Sequence, residues 1–234
     1  MRATAYAALG AFGATATWFG PGLACHVPPL ARALGIPRRL SDPRGVALTF
    51  DDGPHPQGTP AVLELLAERG MTATFFVIGE QVRRSPSLAA EAFAAGHRVA
   101  VHGDRHVNLQ RLTPARLRDD LDRAVESIAE ATGVPAADHR APYGIYTPAA
   151  IREVRRRGWT PWLWSRWGVD WRAWRTPAQI ARELTGGGLR AGDVLLLHDA
   201  DTYADPGSWR NTVAALPSVL DAIEEAGFRT VPVG

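Results

Sequence analysis

Short apolar runs alternate with longer helix-like segments from residue 45 to the end of the chain. The runs are typical of buried strands and lie at 46–50, 74–78, 98–101, 159–164, 194–197 and 228–233, with a weaker candidate at 138–142. Thr-Pro or Ser-Pro pairs predict helix starts at 59, 85, 113, 147 and 176, and glycines predict helix ends at 70, 96, 133, 158 and 227. This alternation predicts an α/β fold with a parallel sheet and outer helices. About seven strands favour a closed or nearly closed βα barrel over an open doubly wound sheet.

The first 44 residues differ in composition from the rest of the chain. No Asp, Glu, Lys or Arg occurs between residues 3 and 31, and 3–20 is apolar and rich in small residues, as in a signal peptide or membrane anchor. The alternative is a helix packed on the domain, because glycines and prolines interrupt the apolar run. We therefore divide the chain into an N-terminal segment with its joint, 1–44, and one domain at 45–234. The segment predicts secretion or attachment to the cell envelope through 3–31, with a cytoplasmic protein as the alternative.

Composition argues against several functional classes. The chain contains 26 arginines and no lysine, which excludes Schiff-base lysines and lysine-dependent phosphate loops. Its single cysteine, Cys25, excludes internal disulfides and cysteine-based zinc sites. A net charge of +2 without any basic run argues against nucleic acid as a partner. The first strand is followed by Asp51-Asp52-Gly53-Pro54 and not by a glycine-rich loop, which argues against a nucleotide site.

Polar side chains follow the ends of successive predicted strands. They are Asp51 and Asp52 after the first strand, His102 and His106 after the third, Arg140 by the fourth, Asp170 after the fifth and His198 at the end of the sixth. Because the C-terminal ends of barrel strands form one face, we expect these groups to gather there. Two histidines four residues apart, joined by one carboxylate, would form a three-ligand site for zinc or iron(II). For the histidine pair alone, packing in the core is an equal alternative.

The residue types also indicate roles around such a site. Of the two neighbouring aspartates, one can bind a metal while the other acts as a general base on water. The alternative is a turn cap without chemistry, which Gly53 and Pro54 favour. His198 suits a general acid or a buried structural histidine. Arg140 cannot lose its proton, so it can hold a carboxylate in place or form a salt bridge elsewhere.

Six of the eight tryptophans lie between residues 159 and 174. Trp167, Trp171 and Trp174 fall in the predicted loop after a strand, where indoles could stack on sugar faces. Burial is the alternative for each of them.

The motifs at these strand ends resemble those of the polysaccharide deacetylases of carbohydrate esterase family four, over about residues 45–234. The family's T-F-D-D-G is intact at 49–53, its R-x-P-Y at 140–143 and its L-x-H at 196–198. Its H-[ST]-x-x-H corresponds to 102–106, where Gly103 replaces Ser or Thr, and its D-x-x-D-W corresponds to 170–174, where Ala173 replaces the second Asp. The first departure predicts a looser metal-binding loop. The second leaves Asp170 alone to orient the charged groups.

The resemblance implies a distorted, TIM-like (β/α) barrel that removes acetyl groups from N-acetylated, or else O-acetylated, sugars. Asp51 would be the catalytic base, and Asp52, His102 and His106 would bind a divalent metal, zinc in the first place and cobalt or manganese as alternatives. The remaining implied roles are Arg140 holding the base, the Tyr143 main-chain N–H stabilising the oxyanion, Leu196 in the acetyl pocket, His198 as the acid and Trp174 beside the substrate.

The substrate implied is a glycan that contains N-acetylglucosamine, acted on by a monomer. Two other functions remain as alternatives. A two-histidine, one-carboxylate iron(II) oxygenase would use the same ligands but gives Asp51 and His198 no clear role. A non-catalytic glycan-binding module would use the tryptophan-rich loop and leaves the acid and the base unexplained.

Overall fold

The structure is a computed structural model that describes residues 20–234. Almost all of the apolar stretch at 3–20 therefore lies outside the described residues. Between residues 20 and 234, no helix combines the length and the apolar character needed to cross a membrane.

Eight strands build one sheet in which all neighbouring strands are parallel. They are β1 (Gly45–Asp51), β2 (Thr74–Val77), β3 (Arg98–Val101), β4 (Asp138–His139), β5 (Thr160–Pro161), β6 (Arg166–Trp167), β7 (Val194–His198) and β8 (Arg229–Thr230). Seven follow the order β5-β4-β3-β2-β1-β7-β6, and β8 pairs with the first residues of β1. The seven-stranded path curls into a distorted half-barrel, which confirms the predicted fold.

Eight α-helices connect the strands or flank the sheet in the described part of the chain. They are α1 (Pro28–Ala33), α2 (Gly58–Glu68), α3 (Gly79–Arg84), α4 (Pro86–Ala94), α5 (Pro114–Thr132), α6 (Pro148–Arg156), α7 (Pro177–Thr185) and α8 (Ser208–Glu225). Threonine side chains cap α5, α6 and α7 at the predicted Thr-Pro pairs by accepting a backbone N–H of the first turn.

Two predicted elements differ in the structure. The run at 159–164 does not form one strand: β5 ends at Pro161, and the Leu163 N–H donates to Pro37 O at 3.0 Å before β6 begins. Asp170 therefore follows the sixth strand and His198 ends the seventh. Helix α2 begins one residue before Thr59, whose hydroxyl accepts the His55 N–H at 2.7 Å and donates to Asp199. Thr59 thus connects two loops and does not cap the helix.

Strand β1 occupies the centre of the sheet, and all seven of its residues are buried. It pairs with β2 on one side and with β7 on the other, so that Asp51 lies in register with His198. A strand covered on both faces lacks a polar alternation, which is why its sequence is a continuous apolar run up to Thr49. The central position of β1 places its terminal carboxylates in the middle of the C-terminal face.

Candidate active site

The C-terminal ends of five strands converge on one site. Asp51 ends β1, His198 ends β7, and the other groups lie in the loops that follow β1, β3, β4 and β6. All the charged residues that the sequence analysis placed at strand ends are buried or nearly so; they are Asp51, Asp52, His102, His106, Arg140, Asp170 and His198.

Asp52, His102 and His106 together offer three ligand atoms that lie within 4.8 Å of one another. Asp52 Oδ1 is 3.3 Å from Nε2 of each histidine. This oxygen is buried and accepts no hydrogen bond, an arrangement that leaves an unsatisfied charge unless a cation shares it. Asp52 has a φ of 78°, which turns its side chain out of the strand direction and towards the histidines. Two imidazoles and one carboxylate fit a divalent transition metal with open coordination positions.

The surroundings of the histidines orient them as ligands. His102 Nδ1 is 2.8 Å from Arg140 O; when Nδ1 carries the proton, Nε2 is left with its lone pair towards Asp52. The His106 ring contacts two aromatic rings, with centroids 4.4 Å from Tyr143 and 4.7 Å from Tyr203. Burial lowers the pKa of His106 to about 4, so it is neutral at physiological pH and able to bind a metal.

Arg140 is completely buried and holds Asp51 in place. Its Nη1 donates to Asp51 Oδ1 at 2.7 Å and to Thr49 Oγ1 at 2.8 Å. The guanidinium carbon lies 4.1 Å from the centre of the Phe76 ring, which packs against its face. The second carboxylate oxygen, Asp51 Oδ2, is 3.8 Å from His102 Nε2 and is therefore close to the metal-ligand set.

His198 is held by the carboxylate of Asp170. Asp170 Oδ1 is 3.0 Å from His198 Nδ1, and Oδ2 accepts the His198 backbone N–H at 2.7 Å and the Thr212 hydroxyl at 2.9 Å. Burial opposes protonation of His198, but the charge of Asp170 outweighs it and raises the pKa of His198 to about 10. The imidazole is therefore protonated at neutral pH, as a general acid must be.

The three predicted substrate residues lie in different surroundings. Leu196 is buried in β7, two residues before His198 and so on the same face of the strand. Tyr143 is half exposed beside His106 and has a φ of 61°. Trp174 is 67% exposed with Arg175 over its ring, whereas Trp171 is the indole that contacts His198, with centroids 5.5 Å apart.

A backbone N–H next to each departure from the family motifs donates to a carboxylate. In the loop at Gly103, the Asp104 N–H donates to Asp120 Oδ2 on α5 at 2.9 Å. The expected looseness of this loop stays a prediction. At Ala173, the backbone N–H donates to Asp205 Oδ2 at 3.0 Å, so a carboxylate from another loop supports this turn.

Four residues near the site were not singled out as site residues by the sequence analysis. Thr49 accepts a hydrogen bond from Arg140, and Thr212 donates one to Asp170. Tyr203 packs on His106, and Asp199 accepts the Thr59 hydroxyl. Burial raises the pKa of Asp199 to about 7. Two of them carried a sequence signal: Thr49 is the first residue of the T-F-D-D-G motif, and Asp199 is a charged residue directly after His198.

Acid–base groups beside a metal-binding set, at the C-terminal face of a curled βα sheet, are the arrangement of a hydrolytic enzyme. The family model described as polysaccharide deacetylase matches residues 39–162. The chain belongs to this family and is a polysaccharide deacetylase, which confirms the resemblance found in the motifs.

Two relatives illustrate the similarity in sequence. A chitooligosaccharide deacetylase of Bradyrhizobium sp. is 36% identical over 203 residues, which cover 83% of this chain and 91% of the relative. A peptidoglycan-N-acetylglucosamine deacetylase of Bacillus cereus is 33% identical and covers 80% and 85% of the two chains.

Solved structures show the same fold. A peptidoglycan N-acetylglucosamine deacetylase crystallised with a hydroxamate-type benzamide has a TM-score of 0.77 at 26% identity, covering 83% of this chain and 88% of its own. A family 4 carbohydrate esterase from Streptomyces lividans in complex with acetate has a TM-score of 0.70 at 30% identity, with coverages of 81% and 93%. A family pseudoenzyme from Bacillus anthracis reaches 0.74 at 21% identity, with coverages of 84% and 66%, so the fold by itself does not decide activity.

Proposed function

We propose that this protein is a divalent-metal-dependent deacetylase that hydrolyses the acetamide of N-acetylglucosamine residues in a glycan and releases acetate. One observation carries the proposal: the buried, unpartnered Asp52 Oδ1 and two histidine nitrogens share the C-terminal face of the sheet with a carboxylate held by Arg140 and a histidine held by Asp170. Each half of an amide hydrolysis, the attack by water and the protonation of the amine, thus has a group in place.

Asp52, His102 and His106 would hold the metal, in the first place zinc. A divalent cation supplies Lewis acidity, which polarises the acetyl carbonyl and makes water easier to deprotonate. Side chains of the protein carry out both proton transfers. Arg140 occupies Oδ1 of Asp51, which leaves Oδ2 to accept a proton from the attacking water.

His198 donates the second proton. Asp170 fixes Nδ1 of the imidazole, so Nε2 is the nitrogen that can give its proton to the departing amine. Cleavage of the carbon–nitrogen bond then yields acetate and the free amino sugar. In this scheme the Tyr143 main-chain N–H stabilises the oxyanion and Leu196 contacts the acetyl methyl group.

The substrate class rests on the relatives, which are named for chitooligosaccharide and for peptidoglycan N-acetylglucosamine. Both names describe N-acetylated glucosamine polymers, so we place the substrate in this class and prefer N-deacetylation to O-deacetylation. We further propose that the enzyme acts as a monomer in the cell envelope or after secretion, held to the membrane or exported through the apolar stretch at 3–20.

Acetate release from N-acetylglucosamine oligomers tests the proposal directly. Chelator-treated protein is assayed with and without added zinc, beside Asp51→Asn and the exposed control Asp122→Asn. We expect zinc to restore release, Asp51→Asn to lose about 10²-fold or more, and Asp122→Asn to match the wild type. Glycan binding without release would favour the binding module, and oxygen consumption would favour the iron(II) oxygenase.

A further inference from the structure

The loop that carries both histidine ligands, residues 102–106, is fixed by a carboxylate from α5. The Asp104 N–H donates to Asp120 Oδ2 at 2.9 Å, and Asp120 is 1% exposed. Asp104 itself accepts bonds from Arg83 Nη1 at 2.6 Å and from Arg123 Nε at 3.0 Å. The loop is therefore bonded to α3 and α5 at its midpoint, between the two ligands.

The backbone of the same loop is also bonded to α3. The Gly79 N–H donates to Gly103 O at 2.9 Å and the Glu80 N–H donates to Asp104 O at 3.0 Å. These bonds determine which way the peptide groups at 103 and 104 point. The peptide orientation in turn directs the Asp104 N–H at Asp120.

Asp120 occupies the space where a side chain at position 103 would project. A β-carbon on Gly103 would lie 3.1 Å from Asp120 Oδ2 and 3.1 Å from Arg105 O, both closer than ordinary van der Waals contact. Gly103 has a φ of 105°, a conformation that residues with a side chain rarely adopt. A glycine at 103 and a carboxylate at 120 are thus two parts of one arrangement.

We propose that Asp120 is a positioning residue for the metal site, and that its carboxylate takes the place of the hydroxyl side chain absent at Gly103. It acts through the Asp104 N–H, which fixes the loop between His102 and His106 and holds their Nε2 atoms at equal distances from Asp52 Oδ1. The inference rests on the proposed metal site and extends it to a residue that touches neither metal nor substrate.

Metal affinity measured by titration calorimetry tests the inference. Purified, chelator-treated protein is titrated with zinc, and Asp120→Ala is compared with Asp122→Ala, an exposed residue two positions away that pairs with Arg157. We expect Asp120→Ala to weaken zinc binding by about 10-fold or more and Asp122→Ala to leave it unchanged. Equal affinities in the two variants would overturn the inference, whereas no zinc binding by the wild type would refute the proposed metal site itself.

Two further variants separate positioning from a loss of folding. Asp120→Asn keeps an oxygen that can accept the Asp104 N–H, so we expect it to retain most of the affinity that Asp120→Ala loses. The visible spectrum of the cobalt(II)-loaded protein should change in Asp120→Ala and not in Asp120→Asn, because it reports ligand geometry. An Asn variant as weak as the Ala variant, with the same altered spectrum, would contradict the role of the hydrogen bond.

Gly103→Ser supplies the complementary test. When Asp120 is present, the serine must adopt the unfavourable φ, and its side chain lies close to the Asp120 carboxylate. We therefore expect Gly103→Ser to weaken zinc binding. In the Asp120→Ala background the carboxylate is gone, so the same change should cost less affinity. Strictly additive effects in this double-mutant cycle would show that positions 103 and 120 act independently and would overturn the assigned replacement.

Discussion

At the scale of single residues, the acid of the site depends on one buried carboxylate. Asp170 makes all its bonds to His198 and Thr212, and it raises the pKa of His198 to about 10, above the ordinary value near 6.5. A histidine with a raised pKa stays protonated below that pKa and loses its proton as the pH rises through it. We therefore expect the alkaline limb of the activity profile to report loss of the His198 proton.

Replacing Asp170 should move this limb. In Asp170→Asn the amide preserves the shape but removes the charge, so the pKa of His198 falls and the acid form is lost at lower pH. We expect the alkaline limb of kcat/KM to shift down by at least about one pH unit. The pH profile of the zinc-loaded variant measures it, with Asp122→Asn as the control for an exposed carboxylate away from the site. An unchanged limb would assign the acid to another group.

The buried pair of Arg140 and Asp51 should behave as a unit. Arg140→Met leaves Asp51 as an uncompensated buried charge, so we expect a loss of about 3–5 kcal/mol in the free energy of unfolding together with loss of activity. Adding Asp51→Asn removes that charge, and the double variant should regain part of the stability while remaining inactive. Urea denaturation of both single variants and the double variant measures the coupling. Additive losses would mean that Arg140 acts mainly through Thr49 or its packing on Phe76.

At the scale of elements, the helix starts offer a matched comparison. Thr176 caps α7 by accepting the Gln179 N–H, and the Gln179 side chain accepts the Thr176 N–H in return. Ser85 stands at the corresponding position before α4, also ahead of a proline, but its side chain makes no capping bond. The two sites share the sequence signal and differ in the hydrogen bond.

Alanine substitution should separate these two sites. We expect Thr176→Ala to lower the free energy of unfolding by about 1 kcal/mol and Ser85→Ala to change it by less than about half of that. Urea denaturation at constant pH is the measurement. Equal losses at both positions would show that the Thr-Pro pair contributes through backbone preference and not through the cap.

These elements also show how far the sequence predicts the fold. Strand β3 has the predicted bounds and β7 differs by one residue, because isolated apolar runs between turn residues leave few alternatives. The prediction of one strand at 159–164 was wrong, because the Leu163 N–H donates to Pro37 O. Pro37 is distant in sequence, and the periodicity of the run carries no information about it. Helix α3 was missed, since it follows β2 directly and its first N–H groups bond to the loop at 103–104.

The same distinction holds for the site. Strand ends and motif spacing placed the charged groups on one face, since topology alone brings them together. The hydrogen bond from the Asp104 N–H to Asp120, the bond from Thr212 to Asp170 and the packing of Tyr203 on His106 could not be predicted in this way. These residues lie in helices and a loop outside the motifs, and only the packing of the folded domain shows which groups they contact.

At the scale of the whole molecule, residues before 45 contribute to the described domain. Ala31 and Ile36 belong to the hydrophobic core. Pro37 O accepts the Leu163 N–H between β5 and β6, the two edge strands of the seven-stranded path. Arg39 pairs with the buried Asp193 at 2.7 Å. The division at residue 44 was predicted from composition, which carries no information about such contacts.

Truncation tests where the stable domain begins. A chain that starts at residue 45 loses Ile36 from the core and leaves the Leu163 N–H without its acceptor, while a chain that starts at residue 20 keeps both and serves as the reference. We expect the shorter chain to lose at least the roughly 2–5 kcal/mol that truncating one large buried aliphatic side chain costs. Urea denaturation of the two chains measures the difference. Equal free energies of unfolding would restore the boundary at 45 and make the preceding residues a joint without a structural role. The expected loss would instead place residues 24–39 within the catalytic domain. There, Pro37 bonds to the segment between β5 and β6, the two edge strands of the sheet, which do not pair with each other.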